Sequence, residues 1–193
     1  PLLFPVKQED LSNAEEIIKN AGLYNRRIIG FHAGCSTLKN HINRRWPEQN
    51  FAELGRLLIR NTDYSILLFG GTEELSLNES IKKSVNSSRI VIAESKTLTE
   101  SAALMRYCSV FVTNDSGLMH IAASQSVKIV PLIGPTNQNY IYPWQTRFIA
   151  ANLNLECSPC FYYSPRHLKC NRTDVKYKCM KELSPELVMQ KIS

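Results

Sequence analysis

A polar turn between an apolar run and a run of small residues is the segment of this chain best suited to chemistry. The turn contains Asp115, Ser116 and Gly117, and its flanks are typical of a buried strand and a following helix. Unpaired backbone N–H groups and the positive end of the helix dipole therefore face one crevice. Because such a helix start binds anions, the turn predicts a site for phosphate or a similar group.

Helix capping is the alternative interpretation of this turn. Asn114, Asp115 and Ser116 are all residue types that cap helices, and a single cap would be enough. The surplus of such residues, together with Gly117, favours a ligand that approaches the backbone closely. His120 lies one turn into the helix and can face the same crevice, although an isolated histidine is more often structural.

The loop after the first apolar run supplies cationic candidates. Lys39, Arg44 and Arg45 can hold phosphate, and an exposed cationic loop is the alternative. The sequence at Gly30–Gly34 is Gly-Phe-His-Ala-Gly, which is not a G-x-G-x-x-G motif, and no P-loop motif is present. These observations disfavour a dinucleotide-dependent oxidoreductase and a P-loop hydrolase.

Four late cysteines have a spacing that suits a metal site. The first two are separated by two residues, as in a metal knuckle, and the set is Cys157, Cys160, Cys170 and Cys179. The second pair is separated by eight residues, where a standard zinc ribbon has two. A structural zinc or iron ion, disulfides formed in air and free thiols therefore all remain open.

The elements that must position these residues alternate between strands and helices. Short apolar runs predict strands at 28–31, 65–69, 90–93, 110–113 and 128–133, with a candidate sixth at 148–151. Apolar periodicity and capping signals predict helices that begin near Pro47, Glu73, Thr97, Ser116 and Pro185. Because each return must cross over, we expect a doubly wound, mostly parallel, Rossmann-like α/β domain.

Polar turns follow several of these strands. They contain Gly34, Gly70, Asp115 and Gly134. Since ligands bind beyond the carboxyl ends of parallel strands, we expect these turns to share one rim of the sheet.

Length and composition predict one main folded domain. The chain has 193 residues, of which 44% are hydrophobic and 21% charged. We expect residues 1–26 to be a linker and leading helix and 27–156 a nucleotide-sugar-binding domain. Residues 157–193 then form a cysteine-containing segment and final helix packed on the same domain. The opening Pro-Leu-Leu-Phe-Pro resembles an interdomain linker, so we expect a further domain before it.

Charge and targeting signals indicate where the protein works. The formal net charge of +6 favours anionic partners. No membrane-spanning run or signal peptide is evident, which predicts a cytoplasmic protein. A late basic segment can hold it peripherally at the inner membrane, and a solvated loop is the alternative. Its bases are Arg166, Lys169, Arg172, Lys176 and Lys178.

Several motifs in this order resemble the C-terminal half of glycosyltransferase family 9, best known for the lipopolysaccharide heptosyltransferases. They are Gly34-Cys35-Ser36, Arg44-Arg45-Trp46-Pro47, Phe51-Ala52-Glu53-Leu54, Leu67 to Glu74, Thr113 to Ala123 and Ile133 to Thr136. The resemblance implies a GT-B enzyme with two Rossmann-like domains, of which this is the nucleotide-sugar-binding half. Relatives usually carry lysine in place of Arg44.

The resemblance also implies a donor site for an ADP-heptose-like nucleotide sugar. Its residues are Ser36, Thr37, Arg44, Glu73, Asp115, Ser116, Gly117, Leu118 and His120. Asp115 and the backbone after it would hold the diphosphate and sugar, and Glu73 the nucleoside. Ser36, Thr37 and Arg44 would approach the phosphates.

The family's chemistry is direct displacement with inversion of the sugar. A base deprotonates the acceptor hydroxyl while cations and helix dipoles stabilise the departing diphosphate. The resemblance places that base in the N-terminal acceptor domain, so we expect little transfer by this chain alone and no cofactor requirement. A glycolipid or lipopolysaccharide core is the expected acceptor. Some relatives bind metal at a late cysteine group.

Two other functions compete with this interpretation. In the first, the basic cysteine segment contacts nucleic acid and aromatic residues such as Tyr140 and Tyr162 stack on bases. Packing of those rings against the domain is the simpler alternative, so we expect no nucleic-acid partner. The second is another GT-B enzyme, such as a sugar-nucleotide epimerase.

Overall fold

The computed structural model describes residues 2–162 and 167–192. Within them, five parallel strands form one sheet in the order β3-β2-β1-β4-β5. The strands are β1 (Ile28–His32), β2 (Ser65–Phe69), β3 (Ile90–Ile92), β4 (Cys108–Asn114) and β5 (Lys128–Leu132). The prediction of a doubly wound, parallel α/β domain is confirmed.

Helices cover both faces of this sheet. Their bounds are α1 (Gln8–Asn20), α2 (Glu48–Asn61), α3 (Leu75–Val85), α4 (Leu98–Met105), α5 (Gly117–Ser124), α6 (Gln138–Ile141), α7 (Lys178–Lys181) and α8 (Pro185–Ile192). One buried cluster joins α2, α3 and α8 to the sheet, and a second joins α1, α4 and α5 to the opposite face. The central strands are therefore apolar on both sides, which explains their uninterrupted hydrophobic runs.

A glycine in the central strand allows a large ring to pack beside it. A Cβ atom at Gly30 would lie 2.8 Å from Cε2 of Phe111, which is too close for any side chain. The Phe111 ring in turn makes an edge contact with Phe69, at a centroid distance of 5.2 Å. Because Gly30 has no side chain, the Phe111 ring of β4 can lie across β1 and contact Phe69 of β2.

The leading helix is part of this packing. Ala14 and Ile18 of α1 are fully buried in the cluster shared with α4. Asp10 caps the start of α1 through the Lys7 amide and accepts a hydrogen bond from the Thr99 hydroxyl at 3.0 Å. The division of the chain at residues 26 and 156 stays a prediction.

The candidate sixth strand forms only two isolated bridges to β5. They pair Ile129 with Phe148 and Leu132 with Ala151. Backbone bonds from Ile149 to Ile129 and from Ala151 to Pro131 keep the segment alongside. Pro131 has no N–H, so the hydrogen bond that would join the two bridges is missing. The candidate sixth strand is therefore present as two parallel bridges beside β5 and not as a regular strand of the sheet.

No helix in the part of the chain that the structure describes combines the length and apolar character required to cross a membrane.

Candidate functional site

A cleft opens at the carboxyl ends of β1 and β4, where the chain's connections leave the sheet in opposite directions. In doubly wound folds this switch point is where ligands bind. The cleft, which we call the switch-point cleft, has a volume of about 280 Å³. Its lining residues are Ser36, Arg44, Asp115, Ser116, Gly117, His120, Tyr140 and Ile141. Six of these were predicted from the sequence, and Tyr140 and Ile141 were not assigned to a donor site.

Helix α5 points its N-terminus into the switch-point cleft. Ser116 is the N-cap in extended conformation, and its side chain makes no capping hydrogen bond. Around Gly117, the position of a Cβ atom has no heavy atom within 4 Å. The first-turn amides therefore lie beside open space, as an anion site requires. This geometry agrees with the prediction made from the Asp-Ser-Gly turn.

Arg44 and Asp115 form an ion pair within the switch-point cleft. Their side chains are only 5% and 6% exposed, and the Arg44 Nη1 group donates to Asp115 Oδ2. The His41 Nδ1 atom lies 3.4 Å from Arg44 Nη2. Because the guanidinium neutralises the carboxylate, the cleft can accept an anion next to Asp115. Two residues that the resemblance assigned to a donor thus also contact each other.

His32 lies beneath Ser116 at the end of β1. Its Nδ1 atom is 3.0 Å from the Ser116 hydroxyl and 3.3 Å from the Thr113 hydroxyl, which itself donates to the Asn114 carbonyl. Burial, followed by the charge of Arg45, lowers the pKa of His32 to about 3. The ring is therefore neutral at pH 7, and its Nδ1 tautomer decides whether the Ser116 hydroxyl donates or accepts.

The role of His32 was missed at the sequence level. His32 lies in the Gly-Phe-His-Ala-Gly run, where the glycines and not the histidine bear on a dinucleotide-binding motif. The parallel pairing of β1 with β4 sets His32 directly opposite Thr113. The contact of His32 with Ser116 and Thr113 could be predicted only from this strand register.

Asn114 joins the end of β4 to the connection between β1 and α2 rather than capping α5. Its amide nitrogen donates to the carbonyls of Ala33 and Gly34 at 2.7 and 3.3 Å. Its carbonyl accepts from the Trp46 amide at 2.9 Å, and the Trp46 indole donates to Leu183 just before α8. Asn114 therefore fixes the loop that carries Arg44 relative to β4. The cap interpretation of Asn114 was wrong because these partners lie 68 or more residues away.

Glu73 lies outside the switch-point cleft. It occupies a short 3₁₀ turn after β2 and is exposed. The neighbouring Glu74 instead holds the turn, because it accepts from the Gly71 amide at 3.0 Å and from Arg45 at 3.4 Å. Contact between Glu73 and a nucleoside stays a prediction.

The remaining predicted donor residues are divided between the cleft and its surroundings. Ser36 and His120 line the cleft, and the Ser36 hydroxyl accepts from the Leu38 amide at 3.3 Å. Thr37 is exposed and is not part of the lining. The Leu118 side chain packs against the buried cluster that joins α5 to the sheet, so only the Leu118 backbone N–H can bind an anion.

The four late cysteines line one small cavity with Pro135 and Leu168. Burial raises the pKa of Cys179 to about 11, and burial and the neighbouring thiols raise that of Cys160. All cysteines are free thiols, and no three His, Cys, Asp or Glu side chains in 2–162 and 167–192 are arranged to hold a metal ion. The structure therefore brings the predicted set together without a closed metal site.

Ion pairs and hydrogen bonds occupy much of the late basic segment. Arg172 binds Asp174 at 2.6 Å, and Lys178 lies 3.6 Å from the same carboxylate. Lys176 donates to the Cys170 carbonyl at 3.2 Å. Arg166 lies outside the described residues. The charges of Arg172 and Lys178 are thus used in ion pairs with Asp174, which favours a structural role for these two bases.

The chain matches the family model described as glycosyltransferase family 9 (heptosyltransferase) over residues 3–170. It is 32% identical to lipooligosaccharide heptosyltransferase 2 of Campylobacter jejuni, covering 91% of this chain and 52% of that protein. It is 32% identical to lipopolysaccharide heptosyltransferase 2 of Salmonella typhimurium, covering 74% and 41%. The chain thus spans about half the length of the curated relatives it matches.

Solved structures agree with this fold. A glycosyltransferase family 9 protein from Veillonella parvula superposes with a TM-score of 0.77 at 27% identity, over 98% of this chain and 52% of that one. The ADP-heptose lipopolysaccharide heptosyltransferase II of Escherichia coli has the same fold, with a TM-score of 0.66 at 24% identity and coverage of 99% and 54%.

Proposed function

Since the chain belongs to glycosyltransferase family 9, we propose that it is the donor-binding half of an inverting glycosyltransferase. The proposed reaction moves a sugar, heptose from ADP-heptose, onto a lipopolysaccharide-core or related glycolipid acceptor. The choice of heptose and acceptor follows the names of relatives that are 32% identical. The choice of ADP follows the family resemblance.

The observation that carries this proposal is the charge arrangement of the switch-point cleft. The open N-terminus of α5 and the guanidinium of Arg44 lie on the same cleft, and Asp115 is neutralised within it. A diphosphate is the group that such a combination of helix dipole and cation binds best. The same groups stabilise the charge that develops when the diphosphate departs.

The order of loops along the sheet edge gives the donor a direction. Glu73 follows β2, Arg44 follows β1 and Asp115 follows β4, and these three strands are neighbours in the sheet. A nucleoside near Glu73 and a diphosphate at the switch-point cleft would therefore extend the sugar toward the loop after β5. Tyr140 and Ile141 lie there and line the cleft.

Calorimetric titration with ADP, adenosine, UDP and an oligonucleotide tests the proposal. We expect ADP to bind, with adenosine weaker because it lacks the diphosphate and UDP weaker because its base differs. Absence of ADP binding in a folded sample would contradict the proposal. Salt-sensitive binding of the oligonucleotide alone would support the nucleic-acid alternative.

Activation of the acceptor belongs, in this proposal, to an N-terminal domain of the same protein. That domain would supply the base that deprotonates the acceptor hydroxyl. We therefore expect the 193-residue chain to bind donor with little or no turnover. Robust transfer by this chain alone, measured with ADP-heptose and a heptose-containing acceptor, would contradict this assignment.

The cysteine group is proposed to bind a structural zinc or iron ion. The four thiols share one cavity, and soft thiolates suit either metal, so the donor set fits by type. The Tyr177 amide donates to the Cys170 sulfur and Arg172 donates to the Cys157 sulfur, so both sulfur atoms are held within the group. Metal analysis of freshly reduced protein, with a Cys157→Ser variant as control, distinguishes a bound ion from free thiols.

A cytoplasmic location with peripheral attachment at the inner membrane is the proposed setting, because the proposed acceptor is a membrane glycolipid. Lys169 and Lys176 belong to the basic segment that would contact anionic headgroups. Sedimentation with anionic liposomes tests this, since replacement of both lysines by glutamine should reduce binding. Unchanged sedimentation would exclude the segment as the anchor.

A further inference from the structure

A second cavity lies beyond β5, away from the switch-point cleft. Its volume is about 310 Å³, within the range of small-molecule sites. Five amide side chains line it, and none of the described lining residues is charged. The amides are Asn137, Gln138, Asn139, Asn152 and Asn154. We call this space the amide cavity.

The chemistry of the amide cavity favours neutral polar ligands. Each amide both donates and accepts hydrogen bonds, and the Asn152 amide nitrogen already donates to Gln138 Oε1 at 3.3 Å. A phosphate or carboxylate binds best beside a cationic side chain, which this lining lacks among its described residues. The hydroxyl groups of a carbohydrate match such a surface, because every hydroxyl is donor and acceptor at once.

A buried hydroxyl in the lining lacks a partner. Thr136 is only 3% exposed, and its Oγ1 atom has no hydrogen-bond partner among the described residues. Native proteins rarely leave such a group unsatisfied, so each instance calls for an explanation. Because Thr136 lines the amide cavity, rotation about its Cα–Cβ bond would turn the buried hydroxyl toward a ligand hydroxyl, which would supply the missing hydrogen bond.

Aromatic residues connect the amide cavity to the switch-point cleft. A pocket lined by Asn137, Tyr140, Ile141, Phe161 and Tyr162 shares Asn137 with the amide cavity and Tyr140 with the cleft. We call it the aromatic pocket. Tyr140 and Tyr162 are 79% and 61% exposed. Exposed aromatic faces beside amides are suited to the apolar C–H face and polar rim of a sugar ring.

We infer that the amide cavity and the aromatic pocket form a carbohydrate-binding subsite that takes an uncharged part of a glycan, separate from the diphosphate. The identity of that glycan rests on the proposed function: it is either the acceptor oligosaccharide or the sugar of the donor. In both cases the ligand extends from the switch-point cleft past Tyr140 toward Thr136.

A Thr136→Val variant tests this inference without endangering the fold. Valine has nearly the shape of threonine, and loss of a hydroxyl without a partner is neutral or stabilising for the folded state. Ser65→Ala is the matched control, because Ser65 is also buried with no partner for its hydroxyl among the described residues. Ser65 begins β2 and lines neither the cavity nor the cleft.

Titrations with three probes identify the source of the ligand. The probes are a dephosphorylated core oligosaccharide of lipopolysaccharide, ADP-heptose and ADP. We expect Thr136→Val to lower the affinity for one of the two saccharide probes about 3- to 10-fold, which is the range for one hydrogen bond. The affinity for ADP should be unchanged. Weaker oligosaccharide binding identifies the acceptor, and weaker ADP-heptose binding identifies the donor sugar.

Two results would overturn the inference. One is saccharide binding that Thr136→Val leaves unchanged or that Ser65→Ala weakens equally. The other is a chain that binds ADP, binds ADP-heptose no more tightly than ADP, and does not bind the oligosaccharide. In that case the proposed donor function still stands. Saccharide binding without ADP binding has the opposite meaning, because the subsite would stand and the proposed donor function would fail.

Discussion

Arg44 and Asp115 carry opposite charges that are both removed from water. Breaking such a pair at one end leaves an uncompensated buried charge, which typically costs about 3–5 kcal/mol. We therefore expect Arg44→Gln to lower the free energy of unfolding by roughly that amount. Urea denaturation measures this change.

The double variant Arg44→Gln with Asp115→Asn separates folding from binding. It removes both charges, so most of the unfolding free energy should return. ADP affinity should stay low, because the cation that faces the diphosphate is gone. Recovery of ADP affinity in the double variant would show that Arg44 does not contact the anion, and Arg44→Lys provides a charge-conserving comparison.

His32 is expected to orient the hydroxyl of Ser116. If the Nδ1 atom carries the proton, it donates to Ser116 Oγ, and the serine hydrogen is then available to a phosphate oxygen. We expect His32→Leu to weaken ADP binding about 3- to 10-fold and to leave adenosine binding unchanged. His32→Asn should restore part of the affinity, because its side-chain N–H can replace Nδ1–H.

A double-mutant cycle between His32→Leu and Ser116→Ala checks that the effect passes through this hydroxyl. The two changes should be strongly non-additive in ADP affinity, since the residues are in direct contact. Additive effects would show that His32 acts through packing in the core and not through the Ser116 hydroxyl.

Glycines of β1 and α5 give a prediction at the scale of the elements. Gly30→Ala would press a Cβ atom into the Phe111 ring, and overpacking of this kind costs about 1–3 kcal/mol. Gly117→Ala meets open space at the start of α5 and should change stability by less than about 0.5 kcal/mol. Thermal unfolding compares the two variants, and equal losses would contradict the packing described for β1.

The strands and main helices were predictable because their signals are local. Continuous apolar runs mark β1, β2 and β4, and Thr97 caps α4 through the Glu100 amide as its sequence indicates. The isolated bridges at 148–151 were not predictable in the same way. The pairing of this segment with β5 is interrupted at Pro131, and the segment itself does not show that it lies opposite a proline.

The site was predictable in part for the same reason. The Asp-Ser-Gly turn predicts a helix start, and Ser116 and Gly117 line the switch-point cleft at the start of α5. The contacts of His32 and Asn114 depend on the strand register and on loops 68–84 residues away. No local pattern contains that information.

At the scale of the whole molecule, stability should depend on pH through His32. Its pKa is about 3 in the folded chain and about 6.5 when unfolded, so the unfolded chain binds a proton first as pH falls. The stabilising effect of the neutral ring is complete above pH 6.5 and is lost as pH falls below it. The free energy of unfolding should then decrease by up to about 1.4 kcal/mol per pH unit.

Denaturation curves between pH 7.5 and 5 (roughly the window set by the unfolded pKa) measure this slope. His32→Asn should flatten it, since asparagine does not titrate. A slope that persists in the variant would assign the dependence to another group.

The two margins of the sheet also have a consequence for how the isolated chain behaves at high concentration. β3 is only three residues long, and the opposite margin ends in a segment whose pairing is interrupted at Pro131. Neighbouring molecules assemble into fibrils by pairing through long, regular edge strands. Neither margin offers such a template, so concentrated solutions of this chain should stay free of strand-mediated aggregates.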